Sequence, residues 1–161
     1  SVLITEHAIP GGPRALVYHP RTLIVGVGCE RGVSSQELLG LVMETLAAEG
    51  LSPQSVAAIA SIYLKEDEQA LIDLASNLNV LLKFHSAEAL NREKSRIQTP
   101  SDSVFAEVGV YGVCEGAARR HQKPCWNQAI GLVTAFTSIS LLIFPMAKSS
   151  TAFRSVARRR A

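Results

Sequence analysis

The sequence of 161 residues predicts a layered α/β fold in a single domain. Short apolar runs rich in β-branched residues recur along the chain, as in strands that a sheet buries on both faces. Segments with helical spacing of apolar residues follow these runs, separated by glycine, proline and serine turn signals. Hydrophobic residues make up 47% of the chain and charged residues 19%, which is typical of a globular protein and too apolar for a disordered one.

The first twenty residues have little periodicity. They predict a short strand, a turn at Ile9–Pro13 and a second short strand at Ala15–Tyr18. We expect residues 1–20 to be an N-terminal connector and residues 21–161 to form the domain.

The first core unit begins with a strand at Thr22–Val27 and continues into a glycine-rich loop that ends at Gly32. Ser34 and Glu37 form a capping-box pattern, which predicts the start of a helix, and Gly50 predicts its end.

The second unit begins with a capped turn at Ser52-Pro53, followed by a strand at Val56–Leu64. Asp67 is the predicted cap of the next helix, whose apolar stripe comprises Leu71, Ile72, Leu74, Ala75 and Leu78. A third strand is predicted at Val80–Phe84, and Ser86 is expected to start a short helix through Leu90.

Further along, Thr99 is a predicted helix cap with Pro100 in the first turn. A glycine-bounded turn at Gly109–Gly112 precedes a predicted helix at Val113–Arg120.

The last third contains no charged residue from Asn127 to Ala147, and basic residues follow. This length permits a membrane-spanning helix. The alternative is a buried helix or loop to Ser138, a strand at Ile139–Phe144, a turn and an edge strand at Thr151–Ala157. The polar residues within the stretch and Pro145 favour this second interpretation, so we expect no membrane anchor.

Charge and cysteine content restrict the class of protein. The net charge of +2 argues against a nucleic-acid binder, and the basic cluster at the C-terminus is interpreted as a solvated end. The three cysteines include no C-x-x-C pair, which argues against a disulfide framework and a thiolate zinc site. No secretory signal is visible, so the reducing cytoplasm is the expected compartment. We expect no metal site and no cofactor.

The first candidate site is the loop Gly26–Gly32, which includes Gly28, Cys29 and Arg31. A glycine-rich turn between a strand and a helix leaves backbone N–H groups that can bind an anion, and Arg31 can add a bidentate donor. Cys29 lies near a helix N-terminus, where a thiol pKa can fall. The loop lacks the phosphate-loop and dinucleotide patterns, and a tight turn that needs glycine for its geometry explains it equally well.

Two further candidates follow later strands. Lys65 comes after the second strand and would share the ligand-binding edge of the sheet with the first loop; the alternative is a solvated lysine. Glu115 lies at a small, apolar helix start, where a carboxylate can act as general acid or base or simply bond to nearby amides. Tyr111 offers a phenol at the same turn, and Cys114 is expected to be a small buried residue.

Four motifs occur in a fixed order along the chain. They are the strand and loop of His19–Gly32, the segment Ser61–Glu68, Thr99-Pro100-Ser101 and the G-V-Y-G-V-C-E-G-A-A run of residues 109–118. Together they resemble the C-terminal domain of the cobalt-precorrin-5A hydrolase family and its stand-alone CobE-type relatives. The resemblance covers residues 14–118; the chain departs from the family pattern after Arg120.

The resemblance implies a three-layer α/β/α sandwich with a small, mostly parallel sheet. It also implies that the chain binds a corrin-ring precursor, a tetrapyrrole, and takes part in opening the lactone of a cobalt-precorrin-5A type substrate. In the family's hydrolase, this reaction releases the extruded carbon as acetaldehyde. The alternative is a non-catalytic binding or carrier protein of the aerobic pathway, so whether the chain is an enzyme stays open. A partner would be another cobalamin-biosynthesis protein or an N-terminal hydrolase domain. The expected catalytic residues are Glu115 and Lys65, and the expected ligand-binding residues are Gly28, Cys29, Arg31, Gly32, Ser34, Thr99, Ser101 and Tyr111.

Overall fold

The computed structural model describes residues 2–92, 95, 102–121 and 139–145. Six strands are found there: β1 (Val2–Ile4), β2 (Leu16–Tyr18), β3 (Leu23–Cys29), β4 (Val56–Ile62), β5 (Leu81–His85) and β6 (Ile139–Pro145). The helices of this part of the chain are α1 (Ser35–Ala48), α2 (Gln69–Leu78), α3 (Ala87–Asn91), α4 (Asp102–Val108) and α5 (Val113–His121).

A four-stranded sheet with the order β5-β4-β3-β6 forms the centre of the fold. Strands β3, β4 and β5 are parallel, and β6 runs antiparallel to β3, with Cys29 opposite Ile139 and Leu23 opposite Pro145. The predicted strand at Ile139–Phe144 is therefore confirmed, and it lies in the sheet. The parts of the uncharged stretch before Ile139 and after Pro145, including the predicted edge strand at Thr151–Ala157, lie outside the described residues.

Helices cover both faces of this sheet, as expected for a three-layer α/β/α sandwich. On one face, Leu23, Val25 and Val27 of β3 pack with buried residues of α1 and α2. On the other face, Ile24 of β3 packs with Leu90 of α3 and with the first turns of α5. The alternation along β3 follows from the two-residue period of a strand, which sends successive side chains to opposite faces.

The N-terminal segment forms a separate parallel ribbon of β1 and β2, whose side chains are largely exposed. It is attached to the end of α1: the amide of Ala8 donates to the carbonyl of Gly50, and the amide of Ser52 donates to the carbonyl of Glu6. The boundary that we place at residue 20 stays a prediction.

Local turn chemistry explains several element ends. Gly50 has a φ of 65°, which glycine adopts without strain, and it ends α1 as predicted. The hydroxyl of Ser52 accepts a hydrogen bond from the amide of Gln54, and that of Ser86 accepts one from Ala89. In contrast, Ser34 is the N-cap of α1 but its side chain makes no capping bond, so the capping box is not formed.

Two predicted details are wrong. Strand β3 extends to Cys29, so Gly28 and Cys29 belong to the strand end rather than to the loop. Asp67 does not cap α2: the N-cap is Glu68, and the Asp67 carboxylate bonds to Arg31 instead. In both cases a partner distant in sequence, β6 or Arg31, decides the local structure.

Candidate functional site

The carboxyl ends of the parallel strands lie on one edge of the sheet, where α/β proteins commonly bind ligands. The segment after β3 leads to α1 on one face, whereas α5 begins on the other face beside Gly28. A Cβ built on Gly28 would lie 3.5 Å from the Cβ of Val113, the first residue of α5. Segments from both faces of the sheet therefore meet at the end of β3, and this is our candidate site.

Arg31 holds the loop after β3 against the turn after β4. Its Nη1 donates to both carboxylate oxygens of Asp67 at 3.0 Å, and its Nη2 donates to the carbonyl of Leu64 at 2.7 Å. The hydrogen bond from Arg31 lowers the pKa of Asp67 below its ordinary value. Both side chains are exposed, so solvent screens this ion pair and its contribution to stability is small.

The Gly32 amide is bound as well. It donates to Oε1 of Glu68 at 3.1 Å and to Oε2 at 3.3 Å, and Glu68 is only 7% exposed. The sequence predicts free amides and a free guanidinium for an anionic ligand at this loop. In the structure, both the Gly32 amide and the Arg31 guanidinium already donate hydrogen bonds to carboxylates of the chain itself. We call these contacts of Arg31 and Gly32 with Leu64, Asp67 and Glu68 the loop latch.

Cys29 and Lys65 lie near each other at this edge, as predicted from the strand order. Burial raises the pKa of the Cys29 thiol, the Lys65 ammonium opposes that rise and Glu68 adds to it. The predicted fall of the thiol pKa is therefore wrong, because α1 begins only at Ser35 and desolvation outweighs the nearby positive charge. At neutral pH Cys29 is a thiol and a weak nucleophile.

The start of α5 is buried against the end of the sheet. Glu115 is 3% exposed and is the third residue of the helix, where a carboxylate can reach the amides of the first turn. Burial raises the pKa of the neighbouring Cys114 to about 12, which confirms it as an unreactive core residue. A Cβ built on Gly26 would lie 2.0 Å from the carbonyl oxygen of Cys114, so glycine is needed there for α5 to pack this closely.

Tyr111 lies in the turn before α5 and stacks on Phe105 of α4. Their ring centroids are 4.3 Å apart and their planes differ by 22°. The amide nitrogen of Asn91 donates to the carbonyl of Gly109 at 2.7 Å, which ties this turn to α3. Phe105 is 41% exposed, so the aromatic pair reaches the surface.

Of the other predicted site residues, the structure describes Ser34, which makes no hydrogen bond with the groups above. Ser34 is exposed at the N-cap of α1, and its neighbour Ser35 donates to Asp73 of α2 at 2.6 Å. Thr99 and Ser101 lie outside the described residues. The structure thus brings Cys29 together with Lys65, and Gly28 with the start of α5.

Sequence reasoning missed the roles of four residues in this region: Asp67, Glu68, Phe105 and Gly26. The partners of Arg31 and Gly32 lie in the acidic run after β4. The signal for them was that this acidic run and the arginine of the first loop follow neighbouring strands of the predicted sheet. Nothing in the sequence indicated a role for Phe105 other than that it is an aromatic residue six positions before Tyr111. The close approach at Gly26 depends on tertiary packing, which the spacing of the glycines does not reveal.

A concave surface lies away from these residues. This open groove of about 330 Å³ between α2 and β5 is lined by Ile72, Ala75, Ser76, Asn79, Val80 and Leu82. It has no ionisable side chain, so we prefer the carboxyl edge as the functional site. In the described part of the chain there is no cluster of three or more potential metal ligands. Nor is any helix in those segments long and apolar enough to cross a membrane.

Comparisons with known proteins agree with this architecture. The family model described as "Cobalamin synthesis G C-terminus" matches residues 23–140. A cobalt-precorrin-5A hydrolase of Priestia megaterium is 35% identical over 130 residues, which cover 81% of this chain and 34% of the hydrolase. Protein CobE of a Sinorhizobium species is 38% identical over 96 residues, covering 60% of this chain and 62% of CobE.

A solved structure of CobE, a protein from the cobalamin (vitamin B12) biosynthetic pathway, superposes with a TM-score of 0.70 at 30% identity. The superposition covers 76% of this chain and 91% of that one. The chain spans about a third of the hydrolase and less than two thirds of the Sinorhizobium CobE. On the extent of the family match and the shared fold, the chain belongs to the cobalamin synthesis G C-terminus family, and its role lies in cobalamin biosynthesis.

Proposed function

We propose that this chain binds a precorrin tetrapyrrole at the carboxyl edge of its sheet and takes part in opening the lactone of a cobalt-precorrin-5A type substrate. The observation that carries this proposal is the buried carboxylate of Glu115, at the helix start that packs beside the end of β3. The hydrolase relative supports the reaction class. The chain spans about a third of that relative, so the assay of the reaction includes any required partner protein.

In the proposed reaction, water adds to the lactone carbonyl and the bond between the acyl carbon and the ring oxygen breaks. Glu115 takes the proton of the attacking water and returns a proton to the leaving oxygen. Lys65 stabilises the negative charge that develops on the carbonyl oxygen. Glu115 is 3% exposed, so this mechanism requires that ligand binding gives its carboxylate access to water.

Glu115→Gln tests this role because the amide has the same shape but cannot take the proton. We expect acetaldehyde release, assayed with any required partner protein, to fall about 100-fold or more while tetrapyrrole binding survives. Glu88→Gln is the matched control, since Glu88 also lies in a first helical turn but is exposed. A purely structural Glu115 predicts a lower melting temperature without a specific loss of turnover. Full activity at unchanged stability would remove Glu115 from the mechanism.

A non-catalytic binding or carrier function is the second candidate. The observation that favours it is the burial of Glu115, which at 3% exposed has little access to the water that hydrolysis needs. The structural likeness to CobE agrees with it. Stoichiometric tetrapyrrole binding with no acetaldehyde release, even beside the other proteins of the pathway, would establish this candidate over the hydrolytic one.

A further inference from the structure

The loop latch leaves few free groups for the carboxylates of a ligand. The Arg31 guanidinium is bound by Asp67 and the Leu64 carbonyl, and the Gly32 amide is bound by Glu68. The exposed side chains of Glu30 and Glu66 add negative charge to the same two segments. A polycarboxylate would meet more carboxylates than cations here, so charge attraction at the latch does not supply its affinity.

The same edge has exposed aromatic and apolar surface. Phe105 is 41% exposed and stacks on Tyr111, two residues before the helix start that lies against Gly28. Tyr63 and Leu64 follow the end of β4, the strand next to β3, and the Tyr63 ring contacts Phe84 of β5. Tyr63 is 56% exposed and Leu64 is 51% exposed. Exposed apolar side chains therefore follow β4 and also precede α5.

We propose that the stacked Phe105–Tyr111 pair is the platform on which the flat face of the tetrapyrrole macrocycle binds. This inference rests on the proposed function and assigns its affinity to ring stacking instead of carboxylate capture. The Tyr111 ring and the tie between Asn91 and Gly109 hold the Phe105 ring in place, so little side-chain freedom is lost when a macrocycle covers it. Offset stacking of large π-systems is favourable in addition to the apolar area that it buries.

The experiment is a calorimetric titration of the protein with cobyrinic acid, a stable cobalt corrin that keeps its side-chain carboxylates. Phe105→Ala should raise the dissociation constant about tenfold, the effect that removal of one stacked aromatic has on planar bases. Phe105→Tyr keeps a planar ring and should bind like the unchanged protein. Met43→Ala is the matched control, since Met43 is 40% exposed but lies on α1, on the other face of the sheet.

Salt provides an independent measurement. Stacking predicts that the dissociation constant stays within about threefold when the salt concentration is raised, whereas binding through exposed cations weakens steeply. If the unchanged protein binds the corrin but Phe105→Ala and Met43→Ala have the same dissociation constant, the platform is overturned and the proposed function still stands. Absence of binding by the unchanged protein would overturn both. Circular dichroism of each variant separates loss of the ring from loss of the fold.

Discussion

Replacement of Gly26 by alanine should displace helix α5. Gly26 is buried in the middle of β3 and faces α5. The added Cβ would lie 2.0 Å from the carbonyl oxygen of Cys114 and 2.8 Å from the Cβ of Ala118. The closer atom belongs to the backbone, so a side-chain rotation cannot relieve the clash and the helix has to move.

The expected cost follows from the size of this clash. Overpacking a filled core costs about 1–3 kcal/mol. Alanine also stiffens the unfolded chain and fits a strand better than glycine, which returns about 0.5–1 kcal/mol. Because a rigid backbone group is the obstacle, we expect the upper part of the first range and a net loss of about 2 kcal/mol. For a chain of this length that lowers the melting temperature by about 4–8 °C.

Gly28→Ala is the matched control, because it makes the same change two residues later on the same face of the strand. Its Cβ would meet Val113 at 3.5 Å, an ordinary van der Waals distance. Because there is no clash to offset the gain from alanine, we expect its free energy of unfolding, measured in urea, to rise by about 0.5–1 kcal/mol. Equal stability of the two variants would refute the close packing of α5 on β3, and with it the position assigned to Glu115.

The two thiols that the structure describes should differ in reactivity. Cys114 should resist alkylation until the protein unfolds, because it is buried and burial raises its pKa to about 12. Half-buried Cys29 should be alkylated slowly at neutral pH, and the rate should increase as the pH rises. Peptide mapping by mass spectrometry assigns each label, and rapid labelling of Cys114 in the folded protein would contradict its burial. Arg31→Ala should raise the carboxyl pKa of Asp67 toward 3.8, measured by NMR titration. Since folding lowers that pKa, the stabilising contribution of Asp67 is present above about pH 4 and is lost as the pH falls through the folded value. An Asp67 pKa that the substitution leaves unchanged would contradict the ion pair.

The core strands were predictable to within a few residues at each end. Strands β3 and β4 are buried on both faces, so almost every side chain is apolar, and this pattern does not depend on their partners. Ser52 and Ser86 act within three residues of their own position, and their capping was predictable for the same reason. Local signals of this kind are fully contained in the sequence.

The contacts of the candidate site depend on residues far apart along the chain. Arg31 and Asp67 are 36 positions apart, and their ion pair removes Asp67 from its predicted capping role. The antiparallel pairing of Cys29 with Ile139 extends β3 past the predicted loop start. Each outcome follows from which loops the topology places at one edge, and this is known only when the strand order β5-β4-β3-β6 is known.

The loop latch also limits the affinity that a carboxylate of the proposed ligand would gain by binding the Gly32 amide. To accept the Gly32 hydrogen bond, it has to displace Glu68, and one carboxylate–amide bond replaces another. Glu68 is 7% exposed, so once displaced it must be solvated or find another donor, which costs free energy. The exchange therefore adds little affinity, but it favours a ligand whose carboxylate can take the position that the Glu68 carboxylate has at the Gly32 amide. Stacking on Phe105 and Tyr111 would supply affinity, and the latch would supply orientation of the ring toward Lys65.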